Sequence, residues 1–255
     1  MTWVVILGAS SGFGAATARA FAQAGFGIFG VHLDRRSAMP AVEALTAELT
    51  ALGVPVRFLN INAADDDARA SAVLALREAV GDGHVGVLLH SLAFGTLRPF
   101  VGEGAIERRQ LDMTLDVMAN SLVYWTQDLV KSGLLARGGR VYAMTSAGST
   151  AVWPSYGPVS AAKAALESHI RQLAVELAPL GITANAILAG VTRTPALERI
   201  PGAEMLATQA LARNPHGRLT TPEDVASCLV ALARPGTAWL TGNVLRVDGG
   251  ENIAG

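Results

Sequence analysis

The start of the chain most restricts how it can fold. Val4-Val5-Ile6-Leu7 is a short β-branched run of the kind that forms buried parallel strands. It passes directly into Gly8-Ala9-Ser10-Ser11-Gly12-Phe13-Gly14 and then into an amphipathic run, Ala15 to Ala24. Glycines at this point permit a tight turn and let the backbone approach a pyrophosphate at the helix N-terminus. Ordinary turn chemistry accounts for the glycines alone. Their place between strand and helix is what points to a dinucleotide held by Gly8, Ser10, Ser11, Gly12, Phe13 and Gly14.

The rest of the chain repeats the alternation. Strands are expected at Gly27–Leu33, Val56–Ile61, Val85–Leu89, Arg140–Met144, Ile182–Leu188 and Asn243–Val247. Helices are expected at Ala41–Leu52, Ala68–Val80, one long helix over 105–131, an Ala-rich run Ala161–Leu177, and Pro222–Ala233. Asp65, Asp66 and Asp67 stand where a helix N-terminus favours negative charge, a better account than a metal site. Residues 192–217 mix weak helix signals with Gly and Pro, as a mobile flap over a site would. No linker, repeat or low-complexity segment interrupts 1–255, so the reading is one doubly wound α/β domain with a parallel sheet, a Rossmann fold.

Composition excludes several functions. Across 255 residues the formal net charge is −1, which gives neither nucleic acid nor an anionic membrane a basic surface to bind. No run of 18 or more apolar residues offers a transmembrane span, so a soluble cytoplasmic protein is expected. Cys228 is the single cysteine and has no partner for an internal disulfide.

Two stretches bear on chemistry. After the second strand, Asp34-Arg35-Arg36 offers an acid for a ribose 2′-hydroxyl, which favours NAD, or two guanidiniums for a 2′-phosphate, which favours NADP. Near the Ala-rich helix, Tyr156 and Lys163 stand seven positions apart. A neighbouring ammonium stabilises phenolate and lowers the phenol from its usual value of about 10, giving a proton donor that works near neutrality. Offsets of four and of seven return to nearly the same helix face but differ by about one turn in height. Pro158 fits as the first helical residue, which puts Tyr156 just ahead of the helix.

With the glycine turn, this pair and the closing Val247-Asp248-Gly249-Gly250, the chain resembles the short-chain dehydrogenase/reductases over essentially its whole length. Ordinary members separate Tyr and Lys by three residues. Here that position is Val159, and the seven-residue spacing is similar to that of the enoyl-acyl-carrier-protein reductases. His90-Ser91-Leu92-Ala93-Phe94 and Ala189-Gly190-Val191-Thr192-Arg193-Thr194 resemble the same group. Leu97-Arg98-Pro99 and Ser160–Leu177 look most like its NADPH-dependent branch. The chain departs from the pattern at Leu7, where Thr is common, and at Ser146, which falls where ordinary members keep a catalytic serine. The usual ribose-binding acid would fall at His32, so Asp34 is offset and Arg35 or Arg36 is left for a phosphate.

The resemblance implies reduction of an enoyl thioester on acyl carrier protein or coenzyme A, with NADPH favoured and NADH also accommodated. Tyr156 would hydrogen-bond the enolate oxygen, Lys163 would hold the nicotinamide ribose, and Ser146 would assist. Asn62, Ala63, Ser91, Leu92, Ala93, Gly190, Val191 and Thr194 would complete the cofactor site, with His90 also in contact. Asn120 lies near the family's structural asparagine. Phe94 and Trp153 are candidates for the acyl channel or for core packing. A homotetramer is expected, with helices 105–131 and 158–178 pairing across a twofold axis. Ser146 keeps open a carbonyl or alcohol oxidoreductase, and a nucleotide-sensing protein without turnover is a further alternative.

Overall fold

A computed structural model describes residues 1–254. Seven strands form one all-parallel sheet in the order β3-β2-β1-β4-β5-β6-β7. They are β1 (Thr2–Leu7), β2 (Gly27–His32), β3 (Val56–Asn60), β4 (His84–His90), β5 (Leu135–Thr145), β6 (Thr183–Ala189) and β7 (Val244–Val247). Each overlaps a strand expected from sequence. Along β1, Trp3, Val5 and Leu7 face one apolar core while Val4 and Ile6 face the other. That period-two division needs helices on both faces.

One face is covered by α1 (Gly12–Gln23), α2 (Met39–Ala51) and α8 (Pro222–Leu232). The other carries α3 (Asp66–Val80), α4 (Arg108–Leu115), α5 (Ser121–Lys131) and α6 (Gly157–Leu177). Asp65 caps α3, its carboxylate accepting from the Ala68 amide at 2.8 Å, and Asp66 and Asp67 fill the first turn.

Two expectations need correction. The helix expected over 105–131 is broken by a π-turn at Asp116–Asn120, which joins α4 to α5. The extra residue in that turn brings Asn120 to His169, Oδ1 to Nε2 at 3.1 Å, and Ser121 to His90. Pro158 is the second helical residue of α6, because Gly157 opens the helix and Tyr156 is its N-cap. Within 192–217 the chain forms α7 (Ala203–Arg213), an 11-residue helix preceded by a short 3₁₀ turn at Leu197–Arg199.

The strand order reverses at β1, which lies between β2 and β4. In sheets of this kind ligands bind outside the carboxyl ends of the strands, at that crevice. Gly8, Asp34, Ser91, Ser146 and Gly190 all follow the carboxyl end of a strand within two residues.

Candidate active site

The glycine turn has the shape of a phosphate cradle. Gly8 has a φ of 88° and faces β4; a Cβ on it would lie 2.5 Å from the Ser91 carbonyl oxygen. A Cβ on Gly14 would strike the Gly8 carbonyl. The Gly8 and Ala9 amides donate to the Val31 carbonyl at 2.8 and 3.1 Å, which fixes the turn against β2. Ser11 is the N-cap of α1 but its side chain caps nothing, and the first turn contains no acid. The helix therefore presents its free amides and positive end to an anion. Thr194 closes the turn from above, its methyl 3.4 Å from where a Gly12 Cβ would be. These residues fit the pyrophosphate of a dinucleotide.

At the end of β2, the Asp34 carboxylate sits 2.9 Å from His32 Nδ1, and the Asp34 backbone exchanges two 3.0 Å hydrogen bonds with the Asn60 side chain. Arg35 and Arg36 are exposed, and neither makes an ion pair among the described residues. Asn62 accepts from the Ala64 amide at 3.0 Å, and the Ala63 carbonyl takes the Trp125 indole N–H at 2.9 Å. The Asn62 bond is local, whereas the Ala63 bond ties the end of β3 to α5. His90 is fully buried, with Nε2 3.0 Å from Ser121 Oγ, whose own proton goes to the Val117 carbonyl. Burial holds its pKa down at about 3, so it is neutral and faces the core.

The structure brings Ser146, Tyr156 and Lys163 to one place. Ser146 follows β5, and its Oγ accepts from the Gly148 amide at 3.1 Å and from the Tyr156 hydroxyl at 3.3 Å. The phenol ring lies against the 147–149 turn so closely that a Cβ on Gly148 would collide with it. Ser155, just before the tyrosine, is the one non-glycine residue with positive φ among the described residues, at 61°. That backbone twist, together with a 3.1 Å bond from the Tyr156 amide to the Trp153 carbonyl, turns the phenol toward the cleft as α6 begins.

Lys163 is buried two turns into α6. Its Nζ donates to the carbonyls of Met144 at 2.7 Å and Leu92 at 3.2 Å, bridging the ends of β4 and β5. Burial lowers its pKa to about 8, against a smaller opposing effect of Glu167. The expected acidification of the tyrosine is not found. Burial raises the Tyr156 pKa, with the Ser146 hydrogen bond pulling the other way. The lysine is committed to backbone carbonyls, and the phenol keeps its proton at neutral pH.

Tyr156 opens onto a cleft of about 460 Å³ whose walls include Arg98, Phe100, Val152, Trp153 and Ser160. Phe94 is 52% exposed and does not line this cleft; Phe100 does. Trp153 lines it and also donates its indole N–H to the Pro201 carbonyl at 2.8 Å, tying the tyrosine's loop to the 192–217 segment. Sequence reasoning missed Phe100, although it directly follows the Leu97-Arg98-Pro99 stretch. It also missed Glu251, whose buried carboxylate meets the Val191 amide, and no local pattern announced that residue.

Comparison with known proteins gives one family. Residues 8–252 match the family model described as enoyl-(acyl carrier protein) reductase. The enoyl-[acyl-carrier-protein] reductase [NADH] of Aquifex aeolicus is 34% identical over 68% of this chain, a match spanning 64% of that relative's length. A crystal structure of the Aquifex aeolicus enoyl reductase superposes with a TM-score of 0.86 at 26% identity, covering 100% of this chain and 97% of the other. A short-chain dehydrogenase of Burkholderia cenocepacia in complex with NADP gives 0.85 at 26% identity, covering 99% and 98%. No helix among the described residues is long and apolar enough to cross a membrane.

Proposed function

The chain belongs to the short-chain dehydrogenase/reductase family described as enoyl-(acyl carrier protein) reductase, and we propose that it uses NAD(P)H to reduce the carbon–carbon double bond of an enoyl thioester. The observation that carries this is the position of the phenol. Tyr156 caps α6 seven residues before Lys163, while Val159, at the four-residue position, is apolar and buried. Reducing a ketone needs a proton donor at the oxygen bonded to the carbon that receives hydride. Reducing an enoyl thioester puts charge on an oxygen further along the substrate. A donor displaced by about one turn suits the second reaction.

In this reading the nicotinamide cofactor, when bound, supplies hydride to Cβ. Tyr156, protonated at neutral pH, donates a hydrogen bond to the thioester oxygen as charge develops there, and the enolate then takes a proton at Cα from water to give the saturated thioester. Ser146 holds the phenol in line, and Lys163 offers its remaining N–H to the nicotinamide ribose. The apolar wall that includes Phe100 and Trp153 receives the acyl chain, and residues 192–217, tied to Trp153 through Pro201 and set over Gly12 through Thr194, cover the site. Acyl carrier protein or coenzyme A carries the substrate. NADPH is the favoured donor because Arg35 and Arg36 are free while His32 engages Asp34. The assembly is a homotetramer.

Ser146, 3.3 Å from the Tyr156 hydroxyl, supports a second reading as a ketone reductase. One paired assay separates the two. NADPH and NADH oxidation are followed with crotonyl and with acetoacetyl thioester, and turnover of the crotonyl substrate is expected. Turnover of only the keto substrate refutes the enoyl reading.

A further inference from the structure

The segment between β6 and α8 leaves and rejoins the sheet at one buried place. At its first end both oxygens of the Glu251 carboxylate accept from the Val191 amide, at 2.9 and 3.2 Å, and Glu251 is 2% exposed. Gly190 allows this approach, since a Cβ there would lie 2.7 Å from Glu251 Oε2 and would strike the Thr220 hydroxyl. At the other end Asn214 Nδ2 donates to the Asp248 carbonyl at 3.0 Å, while its Oδ1 accepts from the His216 amide at 2.9 Å.

Both acceptors belong to the turn that follows β7. Asp248 stiffens it, accepting from the Gly250 amide at 3.0 Å and from the Asn252 side chain at 2.8 Å. The Glu251 amide donates to the Asp248 carbonyl at 3.1 Å. Filling this space with a carboxylate is costly, because a buried charge loses hydration that one amide only partly replaces. Burial accordingly pushes the Glu251 pKa up. What the carboxylate supplies, and a packed apolar side chain would not, is an acceptor aimed at Val191.

We propose that Glu251 is a positioning residue that pins the Val191 end of segment 192–217 to the same turn that pins the Asn214 end. The segment is then a strap with both ends on one post, and the seating of Thr194 over the cofactor turn depends on that post. The inference rests on 192–217 covering the site, as proposed above, and is independent of which thioester is reduced.

The test reads NADPH and NADH affinity by fluorescence titration, amide exchange at Val191, and limited proteolysis within 197–213. Glu251→Ala is expected to weaken cofactor binding by about tenfold, the scale of one lost hydrogen bond, and to speed both Val191 exchange and cleavage. Glu251→Gln, whose side-chain carbonyl still accepts from Val191, stays within about threefold of the parent. Asn214→Ala, at the opposite end, also speeds cleavage. If Glu251→Ala does not fold, Glu251→Asp, one methylene short of Val191, replaces it. Parental affinity and exchange in the alanine or aspartate variant overturns the proposal, as does a glutamine variant as damaged as the alanine one. No readout uses an acyl substrate, so failure of the enoyl reading leaves these results unchanged.

Discussion

At the scale of the residue, the tyrosine and lysine act separately. Because burial raises the Tyr156 phenol, it is a donor that stays protonated. Tyr156→Phe should lower kcat/KM on crotonyl thioester by about 10²- to 10⁴-fold while cofactor affinity, read by fluorescence, stays the same. Lys163 titrates lower than an ordinary lysine, at about 8. Only the charged form keeps a third N–H for the ribose after donating to Met144 and Leu92, so activity should fall as pH rises through about 8. Stability carries the complementary sign. The folded pKa is below the unfolded one, so charging costs the folded state. Relative to Lys163→Met, wild-type stability should therefore rise between about pH 8 and 10.5, which thermal melts across that range would measure. The spacing of this pair was legible in sequence. Its electrostatics were not, because they depend on carbonyls that only the folded ends of β4 and β5 bring within reach.

The elements were legible wherever burial imposes a pattern. Each of the seven strands overlaps an apolar run that was locatable from sequence. The π-turn at Asp116–Asn120 was invisible because one inserted residue barely disturbs an apolar helical period. Its effect is to give His90 a partner. Ser121→Ala would leave His90 with neither ring nitrogen bonded, since Nδ1 already has no partner among the described residues. Urea unfolding should show a loss of about 1–3 kcal/mol, the usual penalty for stranding a buried donor. The 147–149 turn matters differently. Gly148→Ala would push the phenol off its resting place, and we expect about a tenfold loss in kcat with cofactor affinity retained, since the turn touches Tyr156 and not the glycine cradle. Helix α7 lay hidden among Gly and Pro, which signal loop locally but here sit outside the helix, at Pro201-Gly202 and Pro215.

On the scale of the whole molecule, residues distant in sequence meet at the carboxyl ends of the strands. The Trp153–Pro201 hydrogen bond joins the tyrosine's loop to the 192–217 segment. Trp153→Phe keeps the apolar wall but loses the donor, so proteolysis within 197–213 should quicken while Val191 exchange stays at the wild-type rate. The overall topology followed from alternation alone, whereas the cleft walls did not, because Phe100 and Trp153 sit on loops without a period. The reversal of strand order at β1 has a further consequence. The residues we propose to distinguish one nucleotide from another, Asp34, Arg35 and Arg36, follow β2 on one side of the crevice, while Ser146, Tyr156 and Lys163 lie with β5 and α6 on the other. Coenzyme preference and bond selectivity are therefore separable inheritances, and residues 32–36 could be exchanged for another relative's without rewriting the chemistry opposite them.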